Sequence, residues 1–117
     1  LGRTEFVEEN QEVNVALLKA LLKAKDQIVQ DPESFYELSS QKSGRTLEQV
    51  KSVAVEDPKL GYPVSLDDQH IDSLKKIEKF ELKNNLISAK VDFDSWIDVS
   101  YQKQALEEYQ KDTEENQ

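Results

Sequence analysis

Residues 10–32, NQEVNVALLKALLKAKDQIVQDP, constrain this chain more than any other stretch. Val13, Leu17, Ala20, Leu21, Ala24 and Ile28 recur at steps of three and four, which places them on one face of an amphipathic helix. Leu18, Leu22 and Val29 widen the stripe, while Lys19, Lys23, Lys25 and Asp26 point elsewhere. Leu21 lies at the middle of the apolar face and is expected in the core. Asn10 is the expected N-cap, and Glu12 suits a first turn, where the helix dipole favours an acid. Asp31-Pro32 ends this helix and opens the next: Asp caps, and Pro fits the first helical position.

The rest of the chain continues in helical punctuation. Phe35, Tyr36 and Leu38 supply the apolar contacts of a second helix, which stops near Ser43-Gly44, with Gly44 free to take the left-handed conformation. Thr46 to Gln49 reads as a capping box, in which hydroxyl and amide satisfy each other's helix-end donors. Leu47, Val50, Val53 and Ala54 give the third helix its apolar face. Residues 57–65, DPKLGYPVS, form a loop. A fourth helix covers roughly 66–83, capped by Ser65 or Asp67, with Leu66, Ile71, Leu74, Ile77 and Phe80 as its stripe. Asn84-Asn85 ends it, and Leu86 to Phe93 is irregular or extended. A helical pattern resumes in DSWIDVSYQKQALEEYQ, where Asp98 is a candidate cap. The expectation is an all-α chain of about five helices over residues 1–109, with a polar tail, 110–117, that frays for want of an apolar anchor.

Composition narrows the function classes. The 117 residues carry 24 acids against 15 bases, a formal charge of −9. Without a basic run, such a chain is repelled by phosphate, which sets nucleic acid aside as a partner. The longest apolar runs are a few residues, against roughly 20 for a membrane-spanning helix. The apolar share, about 40% with glycine included, is below the roughly 45–50% of an average domain, so any core is modest. There is no Cys, hence no disulfide framework, zinc knuckle or thiol nucleophile. There is no Met either, and the chain opens LGRTEF without a signal-peptide pattern. Those two features suggest a piece of a longer polypeptide.

No constellation passes as a catalytic, metal or cofactor site. Asp92, Asp94 and Asp98 surround Trp96, but a calcium loop counted from Asp92 puts Trp96, Ile97 and Lys103 where a ligand, a glycine and a glutamate belong. Helix capping is the better use for these carboxylates. His70 is the only histidine, which excludes a two-His metal site within the chain, and surface placement is its ordinary role. Asp67-Asp68 and Glu107-Glu108 are sequence neighbours, so on a helix each pair diverges by about 100° and forms no acid–base couple. Gly2, Gly44 and Gly61 are isolated and make no phosphate loop. Phe35, Tyr36, Phe80, Trp96 and Tyr101 could line a ligand, but aromatics at helical spacing belong more often to a core.

The order of segments carries more information than any residue. After ALLKALLKAKDQIVQDPE come a short helix and SGRTLEQVKSV, then P-x-x-x-Y-P-V-S-L-D-D-Q-H-I from Pro58, a long helix, LISAKVDFDSWIDVSY and a final ALEEY. Over about residues 5–109 this order resembles the C-terminal region of substrate-binding proteins of ABC importers for aliphatic sulfonates, taurine and nitrate. Thiamine-precursor binders of the same superfamily, with its type II periplasmic-binding-protein-like fold, are also similar. The resemblance implies the helical part of a larger fold, two α/β lobes that close on a small organic anion. It also implies an ABC permease as partner and an extracytoplasmic location, periplasmic or lipid-anchored at the outer face of the cell membrane. The family's ligand contacts lie largely outside the matched region, so no ligand residue is carried over. On this reading the helices brace a lobe through apolar surface that the long first helix is best placed to supply. Alone, the chain is expected to pair that surface as a homodimer. The alternative is a free-standing helical interaction module whose stripes bury a partner helix.

Overall fold

In the computed structural model, which describes residues 2–115, every regular element is an α-helix. The order is α1 (Thr4–Glu9), α2 (Gln11–Gln30), α3 (Pro32–Ser43), α4 (Leu47–Val53), α5 (Pro58–Gly61), α6 (Asp68–Lys83), α7 (Phe93–Trp96) and α8 (Ser100–Glu115). Five of them are seven residues or longer, so the segment is all-α with the expected number of substantial helices.

Side-chain punctuation explains the boundaries. Asp31 accepts from Ser34 N–H at 3.1 Å, with Pro32 inside the first turn of α3. Gly44 closes α3 at φ 70°, a left-handed conformation that glycine adopts without the usual Cβ penalty. Thr46 and Gln49 exchange both bonds of a capping box, at 3.2 and 3.0 Å. Asp67 caps α6 by accepting from His70 N–H at 3.0 Å. Asp98 accepts from Ser100 N–H at 2.8 Å, where α8 begins.

Three expectations need correction. Asn10 does not cap α2 through its side chain; its Nδ2 donates to Phe6 O at 2.9 Å and closes α1, a helix the periodicity did not reveal. The 57–65 loop contains the single turn α5, started by Asp57 accepting from Lys59 N–H. The tail expected to fray from residue 110 is helical through Glu115, with Asn116 and Gln117 outside the described residues. Its anchor is polar: Asp112 lies 2.7 Å from Lys19 Nζ, and the Thr113 hydroxyl donates to Tyr109 O.

The main helix pair is α2 with α8. Val15, 4% exposed, and Ala105, 1% exposed, are its buried apolar side chains. Lys19 reaches Glu108 as well as Asp112, and the Tyr109 hydroxyl donates to Asp26 at 2.7 Å. Gln102 accepts from Leu66 N–H at 2.7 Å, tying the segment before α6 to the pair. Helix α3 packs on α4 and on the end of α2, while α6 packs along none of the other helices as α8 does along α2. The shape is open. The radius of gyration is 17.5 Å, against about 13 Å for a compact domain of this length. The accessible surface is 9590 Å², against roughly 6,500 Å² for a folded monomer of the same mass.

Candidate functional site

The α2–α8 pair uses the other side of α2 from the one the periodicity favours. Leu18, Leu22 and Val29 are half-buried beside Val15, whereas Val13, Leu17, Ala20, Leu21 and Ala24 are all exposed. Leu17 is 59% exposed and Leu21 46%. Leu21 is thus no core residue: helix α2 is apolar on two sides, and the small side chain of Ala105 lets α8 take the narrower one. A bare apolar row also runs along α6, where Ile77 is exposed and Phe80 is 62% exposed, with exposed Leu86 and Trp96 further along the chain. Leu66, Ile71 and Leu74 of the same stripe are half-buried.

The hollows are of two kinds: a wide, open one of about 550 Å³ along Asn85, Leu86, Ile87, Ser88 and Ala89, formed by a single short segment, and a small one at the α2–α8 contact. The enclosed space between Leu18, Leu22, Val64, Gln102, Ala105 and Leu106 holds about 20 Å³, room for one water and far below the roughly 300 Å³ at which ligand pockets begin. Among the described residues, no three His, Cys, Asp or Glu side chains cluster as a metal site. No described helix is long and apolar enough to cross a membrane.

The polar residues considered from sequence serve helix ends and helix contacts. His70 Nδ1 lies 2.6 Å from Asp67 Oδ1, on the surface. The His70 backbone N–H and then its ring hold the Asp67 carboxyl below the usual range. Asp92 starts α7 by accepting from Ser95 N–H, while Asp98 serves Ser100, whose hydroxyl and N–H lower its pKa. Asp94 is exposed in the first turn of α7. Of Glu107-Glu108, Glu108 turns toward Gln104 and Lys19, which together lower its pKa. Lys19 is raised in return, first by Asp112 and then by Glu108.

The aromatic candidates divide. Phe35 packs against Tyr36 and edge-on against Tyr62, ring centroids 5.9 and 5.1 Å apart, with the Lys51 ammonium 6.0 Å from the Tyr36 ring. Tyr62 is pushed up by burial and then by Tyr36. Gly61 sits close beside them, where an added Cβ would meet Val55 at 3.1 Å. Trp96 instead packs on Phe93, at 6.1 Å, and Tyr101 is half-buried on α8. The five aromatic candidates therefore line no common pocket.

No family model, curated protein or solved structure matches the chain.

Proposed function

We propose that this chain is the C-terminal helical part of an extracytoplasmic solute-binding protein that serves an ABC importer for a small organic anion, an aliphatic sulfonate before taurine or nitrate. The reading is non-catalytic: the longer polypeptide would hold the anion between two lobes that close on it, and these helices would brace one lobe. The sequence resemblance motivates it. The structural observation that supports it is the surface of 9590 Å² on a chain with two buried apolar side chains among the described residues, which suits a part whose core is completed by other structure. Trp96 lies in the D-S-W-I-D-V-S-Y segment of the resemblance, and the exposed Ile77 and Phe80 of α6 follow its L-D-D segment; on this reading a lobe would seat there.

The test uses the polypeptide encoded by the gene that contains this chain. Calorimetric titration with ethanesulfonate, taurine and nitrate should give one saturable site for at least one of them, and none with the 117 residues alone. A gene product that binds none of the three overturns the reading. The free-standing interaction module is the second reading, favoured by the bare row on α2.

A further inference from the structure

We infer that the exposed flank of α6 is the docking surface for an acidic amphipathic helix of the lobe. From Lys75 to Lys83, every exposed residue of α6 is a lysine or a large apolar side chain: Lys75, Lys76, Ile77, Lys79, Phe80 and Lys83. The two acids of this stretch, Glu78 and Glu81, are half-buried, and Glu78 accepts from Val91 N–H. Among the described residues none of the four lysines enters an ion pair, in a chain of net charge −9. A surface helix is stabilised by lysines set three or four positions from glutamates, whereas like charges at that spacing repel. Lys75, Lys79 and Lys83 stand four apart. The helix dipole accounts for Lys83 alone, because it acts only over the last turn.

The arrangement on the helix names the occupant. Lys76, Lys79 and Lys83 fall within about 60° of one another around the axis, and Phe80 and then Ile77 follow on one side. Phe80 is 62% exposed and Ile77 53%. Asn85 turns left-handed at φ 56° and Leu86 N–H donates back to Glu81 O at 2.9 Å, which keeps exposed Leu86 at the helix end. This apolar strip is narrower than the roughly 100° that a helix presents to a core, so it suits packing against one helix. Acids along one edge of that helix would meet the lysines while its apolar residues cover Phe80 and Ile77. An anionic bilayer fits worse, because a plane would also meet Asp68 and Asp72, exposed at the N-terminal end of the same flank. The inference rests on the transport reading and adds to it the charge of the surface that seats on α6.

Carbodiimide coupling, which joins an amine to a carboxylate in direct contact, tests this in the polypeptide encoded by the gene. Peptide mapping should place amide cross-links between Lys75, Lys76, Lys79 or Lys83 and the acids of a helical segment outside these 117 residues. Acetylation of the four lysines should be roughly tenfold slower than in the 117-residue chain alone, since a covered amine reacts only through local opening. Lys42, exposed on α3, should react at one rate in both. Phe80→Glu should remove the protection, with helicity unchanged because Phe80 packs on little within the chain. Equal acetylation rates, cross-links confined to the 117 residues, or protection that needs phosphatidylglycerol vesicles would each overturn the docking. The anion titration is judged apart: a polypeptide that binds ethanesulfonate but leaves α6 bare defeats this inference alone, and one with the cross-links but no anion site defeats the transport reading.

Discussion

Ala105 has more influence on this structure than its size suggests. At 1% exposure, with Leu18 and Leu22 beside it and about 20 Å³ free between them, it has too little room for a side chain as large as leucine. Ala105→Leu should overpack the α2–α8 contact and cost about 1–3 kcal/mol, read as a lower melting temperature. Leu21→Asp, measured dilute enough to keep the chain monomeric, should leave that temperature nearly unchanged, because Leu21 is already half exposed to water. Equal losses from the two variants would contradict the assignment of α2's faces. The acidic caps add a pH dependence. Asp31, Asp67 and Asp98 all have pKa values lowered in the folded chain by the hydrogen bonds they accept. A group whose pKa is depressed by folding stabilises the fold above its unfolded value, and that contribution disappears as pH falls through the folded one. Helicity should therefore decline as pH drops below about 3.9, the ordinary Asp value. Circular dichroism that stays flat to pH 2 would contradict these caps.

Among the elements, the α3–α4 corner is the most local piece of the fold. Gly44 at φ 70° and the Thr46–Gln49 box set it without help from distant residues. Thr46→Ala should cost about 1 kcal/mol by freeing a helix-end donor. This locality explains what was legible in the sequence. Asp31-Pro32, Gly44, Thr46, Gln49 and Asp67 act on neighbours within a turn, and they fix the bounds of α3, α4 and α6. The orientation of α2 was not legible, because its apolar residues cover two sides and periodicity does not say which side finds α8. Nor was the helical tail, whose anchor pairs Asp112 with Lys19 far away in sequence. The candidate site fared likewise: the residues of the bare row were read as one apolar face, but its exposure depends on where α8 lies.

At the scale of the whole molecule, the deficit is in burial. A chain with 9590 Å² accessible gives up less apolar surface on unfolding than a compact domain. Its heat-capacity change should fall well below the roughly 12–15 cal/mol/K per residue of ordinary domains. Differential scanning calorimetry of the dilute monomer should show a broad, shallow transition, and a sharp one with ordinary heat capacity would argue for a compact fold in solution.

The contact between α2 and α8 joins residues 89 apart in sequence, Lys19 to Glu108, and so works as a clasp that closes a long loop of chain. The entropy of closing such a loop grows only with the logarithm of its length, about 0.6 kcal/mol for each doubling. The stretch from Asn84 to Lys90 lies on that loop, exposed for most of its length. Extra residues there would lengthen the tether without disturbing the clasp, which makes this stretch a place where the chain can gain sequence at almost no thermodynamic cost.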